Sequence, residues 1–418
     1  MRTTMKMIFC LFVISWVQGE GVHAALTEEA PKINIHGYLS QGFLISSRNN
    51  FVLDSKKGTF QFNELGINFT AQVTDRIHVG IQFAARDLGD TGNDKVLIDW
   101  AFADYNWRNW LGIRVGKMKL QYGFYNKTRD IDMLRTFVLL PQSIYPEIYR
   151  DTATSMKGIG LYGVVSPGSM GNILYQASIG ATEVDLEGST IDLFETIGDI
   201  NITQCDVGRI FNGCLVWETP LKGLRAGFTL LDIKLNCSGV ITKDFTVPLE
   251  FPPYAITLAW KGDLFAVECP KYQINVFSIE YTWKNLVLAA EYLKMRHEMK
   301  LYVIDRYKND MLLTTESYYI SGTYRLSEHI ELGINYSAYS TDLDGKLAPP
   351  PVSPDLDDQK DLCAAVRFDL NAHWTFKMEG HLIKGAALCF PRYNLNEAGV
   401  PIFARRWALF GAKMTYTF

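Results

Sequence analysis

From Arg405 to Phe418 the chain reads Arg-Arg-Trp-Ala-Leu-Phe-Gly-Ala-Lys-Met-Thr-Tyr-Thr-Phe and stops. Phe410, Ala412, Met414, Tyr416 and Phe418 fall on one face, while Lys413, Thr415 and Thr417 fall on the other. This two-residue period describes a strand with one oily and one wet side. Chain ends in water tend to fray, so an aromatic-terminated strand is an odd way to finish a soluble protein. In lipid the requirement reverses, because an unpaired strand edge cannot be tolerated there. Such a last strand is expected to pair with the first and close a barrel.

The rest of the chain supports that expectation. Amphipathic stretches of about ten residues, the length a tilted strand needs to cross a bilayer, recur throughout. They lie at 33–46, 60–74, 76–87, 96–107, 110–119, 157–166, 172–183, 209–218, 224–235, 273–284, 286–297, 315–325, 329–341, 361–370, 373–384 and 405–418, sixteen in all. Residues 252–262 also have strand character and are read as a hairpin in the long loop 236–272; if they span as well, the count becomes eighteen. The connections alternate in length. Thr74-Asp75-Arg76, Arg108-Asn109, Lys284-Asn285, Leu326-Ser327-Glu328 and Asn371-Ala372 are short, and each joins an even stretch to an odd one. The odd-to-even connections are longer, roughly 8 to 37 residues. Short turns on one side and long loops on the other are the pattern of a transmembrane barrel with both ends in the periplasm. Trp107, Trp110, Trp217, Trp283, Trp374 and Trp407 stand at strand ends, as interfacial girdles require.

At the other end, Arg2 and Lys6 precede an apolar run from Ile8 to Val17, and Val22-His23-Ala24 offers small residues to a peptidase. This reads as a secretory signal over residues 1–24, with 25–32 a short periplasmic segment and the barrel filling 25–418. Removing Arg2, Lys6 and Glu20 leaves 39 basic residues against 44 acidic, too acidic for a nucleic-acid binder. Six cysteines follow the signal, an even number compatible with disulfides in an exported chain. Cys237 and Cys269, assigned to one long loop, are the favoured pair. No Cys-x-x-Cys occurs, and the six mature histidines are scattered singly. No catalytic, cofactor or metal site is therefore expected, and no enzymatic activity.

The connection from 120 to 156, third among the long ones, departs from the others. Its Leu139-Leu140-Pro141-Gln142-Ser143-Ile144-Tyr145 stretch is too apolar for a solvated loop, so the barrel lumen is expected to bury it. Gly116 to Asn126, Thr128-Arg129-Asp130 and Leu140-Pro141-Gln142-Ser143 resemble a Gram-negative porin. The similarity is to the superfamily of phosphate-selective and dicarboxylate-type porins, and Leu215 to Pro220, Gly223-Leu224-Arg225 and Trp407 to Phe418 extend it over most of the mature chain. The ending itself resembles the signature, here Phe418, that the barrel-assembly machinery reads. The resemblance implies an all-β, sixteen-stranded antiparallel barrel in the bacterial outer membrane, a homotrimer whose third extracellular loop folds inward. The chain lacks the dense arginine ladder of the phosphate-selective members and the N-terminal coiled coil of some dicarboxylate-type ones.

Charge suggests what such a channel would pass. Between 114 and 157 eight basic residues accompany four acids. Arg114, Lys117, Lys119, Arg129, Arg135 and Arg150 are the constriction candidates, since rings of Lys and Arg select anions. Arg86, Arg225, Arg325, Arg367, Lys377, Lys413, Glu218 and Glu280 are read as facing the lumen. The expectation is passive diffusion of small hydrophilic solutes with a weak anion preference. The competing expectation is a loop-plugged structural or adhesive barrel.

Overall fold

Each of the sixteen stretches forms a strand in the computed structural model, which describes residues 31–418 apart from 53, 90, 153, 249–254, 304–306 and 346–355. The leader 1–24 and most of the segment 25–32 lie outside the described residues. The first seven strands are β1 (Ile33–Ser46), β2 (Asn63–Gln72), β3 (Ile77–Asp87), β4 (Leu97–Arg108), β5 (Leu111–Lys119), β6 (Ser155–Val165) and β7 (Asn172–Ala181). A helix, α1 (Ser189–Gly198), then leads into β8 (Ile200–Glu218) and β9 (Leu224–Ile241). A hairpin of β10 (Phe245–Pro248) and β11 (Ala255–Ala259) follows. The last seven are β12 (Leu264–Trp283), β13 (Leu286–Val303), β14 (Tyr307–Arg325), β15 (Ile330–Gly345), β16 (Asp358–Asp369), β17 (Trp374–Gly385) and β18 (Arg406–Thr417).

Sixteen of these strands close one antiparallel barrel, while β10 and β11 form a separate two-stranded sheet. The span count is therefore sixteen. Closure falls where the last strand's pattern required it: β18 pairs with β1, and Phe418 exchanges backbone hydrogen bonds with Gly37 at 3.0 and 3.1 Å.

Alternation sorts the side chains. Lys377, Lys413, Thr375 and Thr415 are enclosed, while Leu362, Leu382, Ile320 and Phe410 stand outside among the large exposed apolar residues. Burying a charge on the outside face would cost several kcal/mol in lipid, so parity alone assigns these faces. Trp107, Trp110, Trp217, Trp283 and Trp374 are exposed on the outer surface, as the girdle reading expects. Trp407 is not. It shares the inward parity of Lys413, packs on Phe51 and donates its Nε1–H to the Gly385 carbonyl.

Strands β8, β9, β12, β13 and β14 run for 18 to 20 residues, well beyond a bilayer crossing. Their extra length is all on the long-loop side, and it overturns one expectation. Cys237 and Cys269 lie in strands, not in a loop: Cys237 is directly opposite Cys205 across β8 and β9, with their Cα atoms 4.0 Å apart, and these two form the disulfide. Cys269 faces Leu235 and is a buried free thiol.

Candidate functional site: the channel interior

The third long connection, 120–154, meets strands on opposite sides of the barrel. On the β8, β9 and β13 side, Gln121 donates its backbone N–H to Asn212 Oδ1 at 2.8 Å, Gly123 to Thr229 at 3.1 Å and Phe124 to Glu291 at 2.7 Å. On the other side, the amides of Val138 and Leu139 both reach the Glu379 carboxylate of β17, at 2.7 and 3.0 Å. Asp132 accepts from Thr415 of β18 at 2.8 Å, and Met133 offers its carbonyl to Arg367 of β16 and its sulfur to Thr417. A segment that touches facing walls of a closed barrel, down to the short-turn ends of β16 and β18, runs through its interior.

Its apolar stretch is buried there as its composition demands. Leu140, Ile144 and Tyr145 pack with Ile210, Leu231, Ile274, Val276 and Leu293 on the inner faces of β8, β9, β12 and β13. The wall is apolar at these positions, beside its polar anchors Asn212, Thr229 and Glu291. The helix α1 sits over the segment, with Ser189 and Thr190 donating to the Ile148 carbonyl at 2.9 and 3.1 Å.

The charged residues of the segment form a paired network with the wall. Arg150 contacts Glu64, Asp130 and Glu147, and Arg129 contacts Glu147 at 2.8 Å. Lys119 bridges Asp99 and Asp130. Asp132 lies between Lys377 at 3.1 Å, Arg135 at 3.1 Å and Lys413 at 3.6 Å. Lys413 also reaches back to Glu64, so the two ion clusters are continuous. Burial works against ionisation of Glu147, but Arg129 and Arg150 outweigh it and hold the carboxyl down at about 2. Asp132 is likewise disfavoured by burial, yet Lys377, Lys413 and Arg135 hold it far below the usual carboxylate range. Buried charges persist only when paired in this way.

Compared with solved structures, the chain is similar to OmpT of Vibrio cholerae in its trimer form, at a TM-score of 0.52 and 12% identity over 93% of this chain and 100% of that one. It is similar to the anion-selective porin from Comamonas acidovorans, at 0.50 and 13% over 93% and 100%. It is similar to the outer membrane channel DcaP of Acinetobacter baumannii, at 0.55 and 9% over 93% and 98%. The fold is that of the outer-membrane porins. No family model matches the chain, and no curated protein matches it in sequence.

Within this porin fold the expected constriction residues separate. Arg129, Arg135 and Arg150 lie on the inward segment, and Lys119 joins their network. Arg114 pairs with Asp104 at 2.9 Å and stacks over Phe102, on the β4–β5 wall. Lys117 stands apart: it shares the outward parity of exposed Val115 and donates to the Ile98 carbonyl. Among the expected lumen charges, Arg86 meets Asp151 at 3.0 Å. Arg225 pairs with Glu280 at 2.9 Å and stacks on Phe124. Arg325 and Arg367 share Asp369, at 2.9 and 2.8 Å. Glu218 accepts from Asn172 near the short turn and takes no part in the network.

Glu291, Asp99 and Asp104 were not anticipated as anchors. Glu291 was visible as a lone acid in the apolar run Leu-Val-Leu-Ala-Ala-Glu-Tyr-Leu, where a carboxylate needs a specific partner.

Proposed function

We propose that the chain is a porin of the bacterial outer membrane, passing small hydrophilic solutes by passive diffusion. The observation that carries this reading is the ion-paired third loop inside a barrel with an apolar outside. A segment held across a lumen narrows it to a constriction, and charged side chains there set which ions pass. Along and beside the inward segment, Arg86, Arg114, Lys119, Arg129, Arg135, Arg150, Lys377 and Lys413 pair with Glu64, Asp99, Asp104, Asp130, Asp132, Glu147 and Asp151. Eight cations face seven acids there, and Glu291 and Glu379, which hold the segment's amides, bring the acids to nine. The anion preference therefore rests on Arg129, Arg135 and Arg150, carried by the inward segment itself, and it is weak because each is already paired with an acid.

The quoted sequence motifs favour membership of the phosphate-selective and dicarboxylate-type superfamily. A homotrimer follows by analogy with the trimeric neighbour. Phe418, paired to β1 at the barrel seam, is the residue the assembly machinery would read.

A plugged barrel is the second reading, and one observation favours it. Leu44 of β1, Leu193 of α1 and Phe51, Leu88, Val138, Phe390 and Phe403 from several loops pack into one apolar cluster at the long-loop end. Single-channel conductance of the refolded protein under a salt gradient separates the two. Steady steps with an anionic reversal potential support the porin and its preference. Steps with a cationic potential keep the porin and remove the preference. A folded barrel that passes no current is plugged.

A further inference from the structure

Asp361 and Cys363 of β16 and Glu379 and His381 of β17 occupy adjacent inward positions, with Cys363 directly opposite His381. All four are enclosed by the wall and the third loop. His381 Nε2 lies 3.0 Å from Glu379 Oε1, and Cys363 Sγ lies 4.0 Å from Glu379 Oε2. The donor atoms of Cys363, Glu379 and His381 are all within 4.8 Å of one another. The other ring nitrogen of His381, Nδ1, lies 2.9 Å from Asp361 Oδ2. We propose that Cys363, Glu379 and His381 bind a zinc-like divalent cation, with Asp361 orienting the imidazole.

The chemistry of the donor set supports this. A thiolate, an imidazole and a carboxylate are the ligands zinc takes, with a fourth position left to water. A ligating histidine nearly always gives its second N–H to a carboxylate, which fixes the tautomer and aims the first nitrogen at the metal. Asp361 occupies that position. An ion pair alone would account for the histidine between two carboxylates, with Cys363 packed on Phe137 and Ala365; the metal site also uses the placement of its Sγ within reach of both other donors.

The charge also balances. Without metal, two acceptor-only carboxylates face both ring nitrogens, which calls for an imidazolium. Two carboxylates, one imidazolium and one thiol sum to −1. With a divalent cation bound, two carboxylates, a thiolate, a neutral imidazole and the metal again sum to −1. One cation enters and two protons leave, one from Nε2 and one from Sγ. The enclosed net charge is unchanged, so occupancy adds no uncompensated charge to a buried place. Glu379 also holds the Val138 and Leu139 amides, so the cation would sit at the anchor of the third loop.

The test uses the full barrel refolded with Co2+ as a spectroscopic stand-in. One equivalent retained after desalting, with a near-ultraviolet thiolate-to-cobalt band that Zn2+ displaces, is expected. Cys363→Ser should abolish the band. Cys269→Ser should leave it, although Cys269 faces His297 Nε2 at 3.0 Å. Asp361→Asn should weaken binding roughly 10- to 100-fold. Affinity should rise with pH as two protons are released. No band, or a band that survives Cys363→Ser in a folded barrel, overturns the site. If that variant does not fold, Zn2+ should shield Cys363 but not Cys389 from alkylation during mild unfolding of the native chain; equal labelling overturns it.

Discussion

Glu291 and Tyr145 meet at 2.5 Å, wall carboxylate to loop hydroxyl, and Glu291 accepts the Phe124 amide at 2.7 Å as well. One side chain of β13 thus holds both ends of the third loop's buried turn. Removing it strands these two loop donors and the Ser278 hydroxyl in an enclosed place. A hydrogen bond to a charged group contributes about 1.5–3 kcal/mol, so Glu291→Ala should release the turn without unfolding the barrel. The expected readout is noisier or larger single-channel current, with protease cleavage inside 120–154. Unchanged current and unchanged protection would remove Glu291 from the clamp.

The same clamp sets a backbone requirement at Gly123. Its φ is +58°, and a Cβ there would lie 2.3 Å from Tyr145 Oη and 2.7 Å from Glu291 Oε1. Gly123→Ala should therefore displace the loop as Glu291→Ala does. Gly262→Ala is the control, because φ is +95° there too but nothing lies within 4 Å. The left-handed strain alone costs roughly 1–2 kcal/mol, and any loss beyond the control measures the collision. Equal losses at the two sites would show that Tyr145 and Glu291 yield freely.

The architecture was legible because it rests on two periodic signals. Alternation found all sixteen spans, and connection parity placed the loops on one side. Both depend on local sequence, which lipid and lumen sort residue by residue. What was not legible depends on register. Cys205 pairs with Cys237 because β8 and β9 outrun the bilayer and place the two opposite each other, a length that amphipathicity cannot set once the strand leaves lipid. Cys363 and His381 share a level through the register of the β16–β17 hairpin, though 18 positions separate them in sequence (381 minus 363). The positive stretch 114–157 carries an excess of four because part of its pairing comes from outside it, from Glu64 of β2 and from Asp99 and Asp104 of β4.

The disulfide gives a direct check on that register. A peptide map without reductant should join the Cys205 peptide to the Cys237 peptide and should never join Cys237 to Cys269. The pair closes a loop of 32 residues. Cys205→Ser should cost about 3–4 kcal/mol in the outer ends of β8 and β9, by chain-entropy reasoning. Proteolysis of the long-loop end should report that loss, while the lipid-embedded halves stay resistant. A Cys237–Cys269 link would mean that β9 and β12 are out of register by residues rather than ångströms.

Acid should act on the third loop through Glu147 and Asp132. Both carboxyls are held below their ordinary values, Glu147 at about 2 against 4.5. A group whose folded pKa is depressed stabilises the native state fully above its unfolded pKa, and that contribution is lost as pH falls through the folded value. Glu147 therefore contributes in full above about 4.5 and loses its contribution between there and about 2. Asp132 yields only in stronger acid. Conductance and loop protection should stay flat from neutral pH to about 4.5, then change together. Glu147→Gln should show the released state already at neutral pH, because Arg129 and Arg150 lose a shared partner, and should flatten the acid transition that remains. A transition centred at pH 6 or above in the wild type would assign the response to a histidine and take Glu147 out of the mechanism.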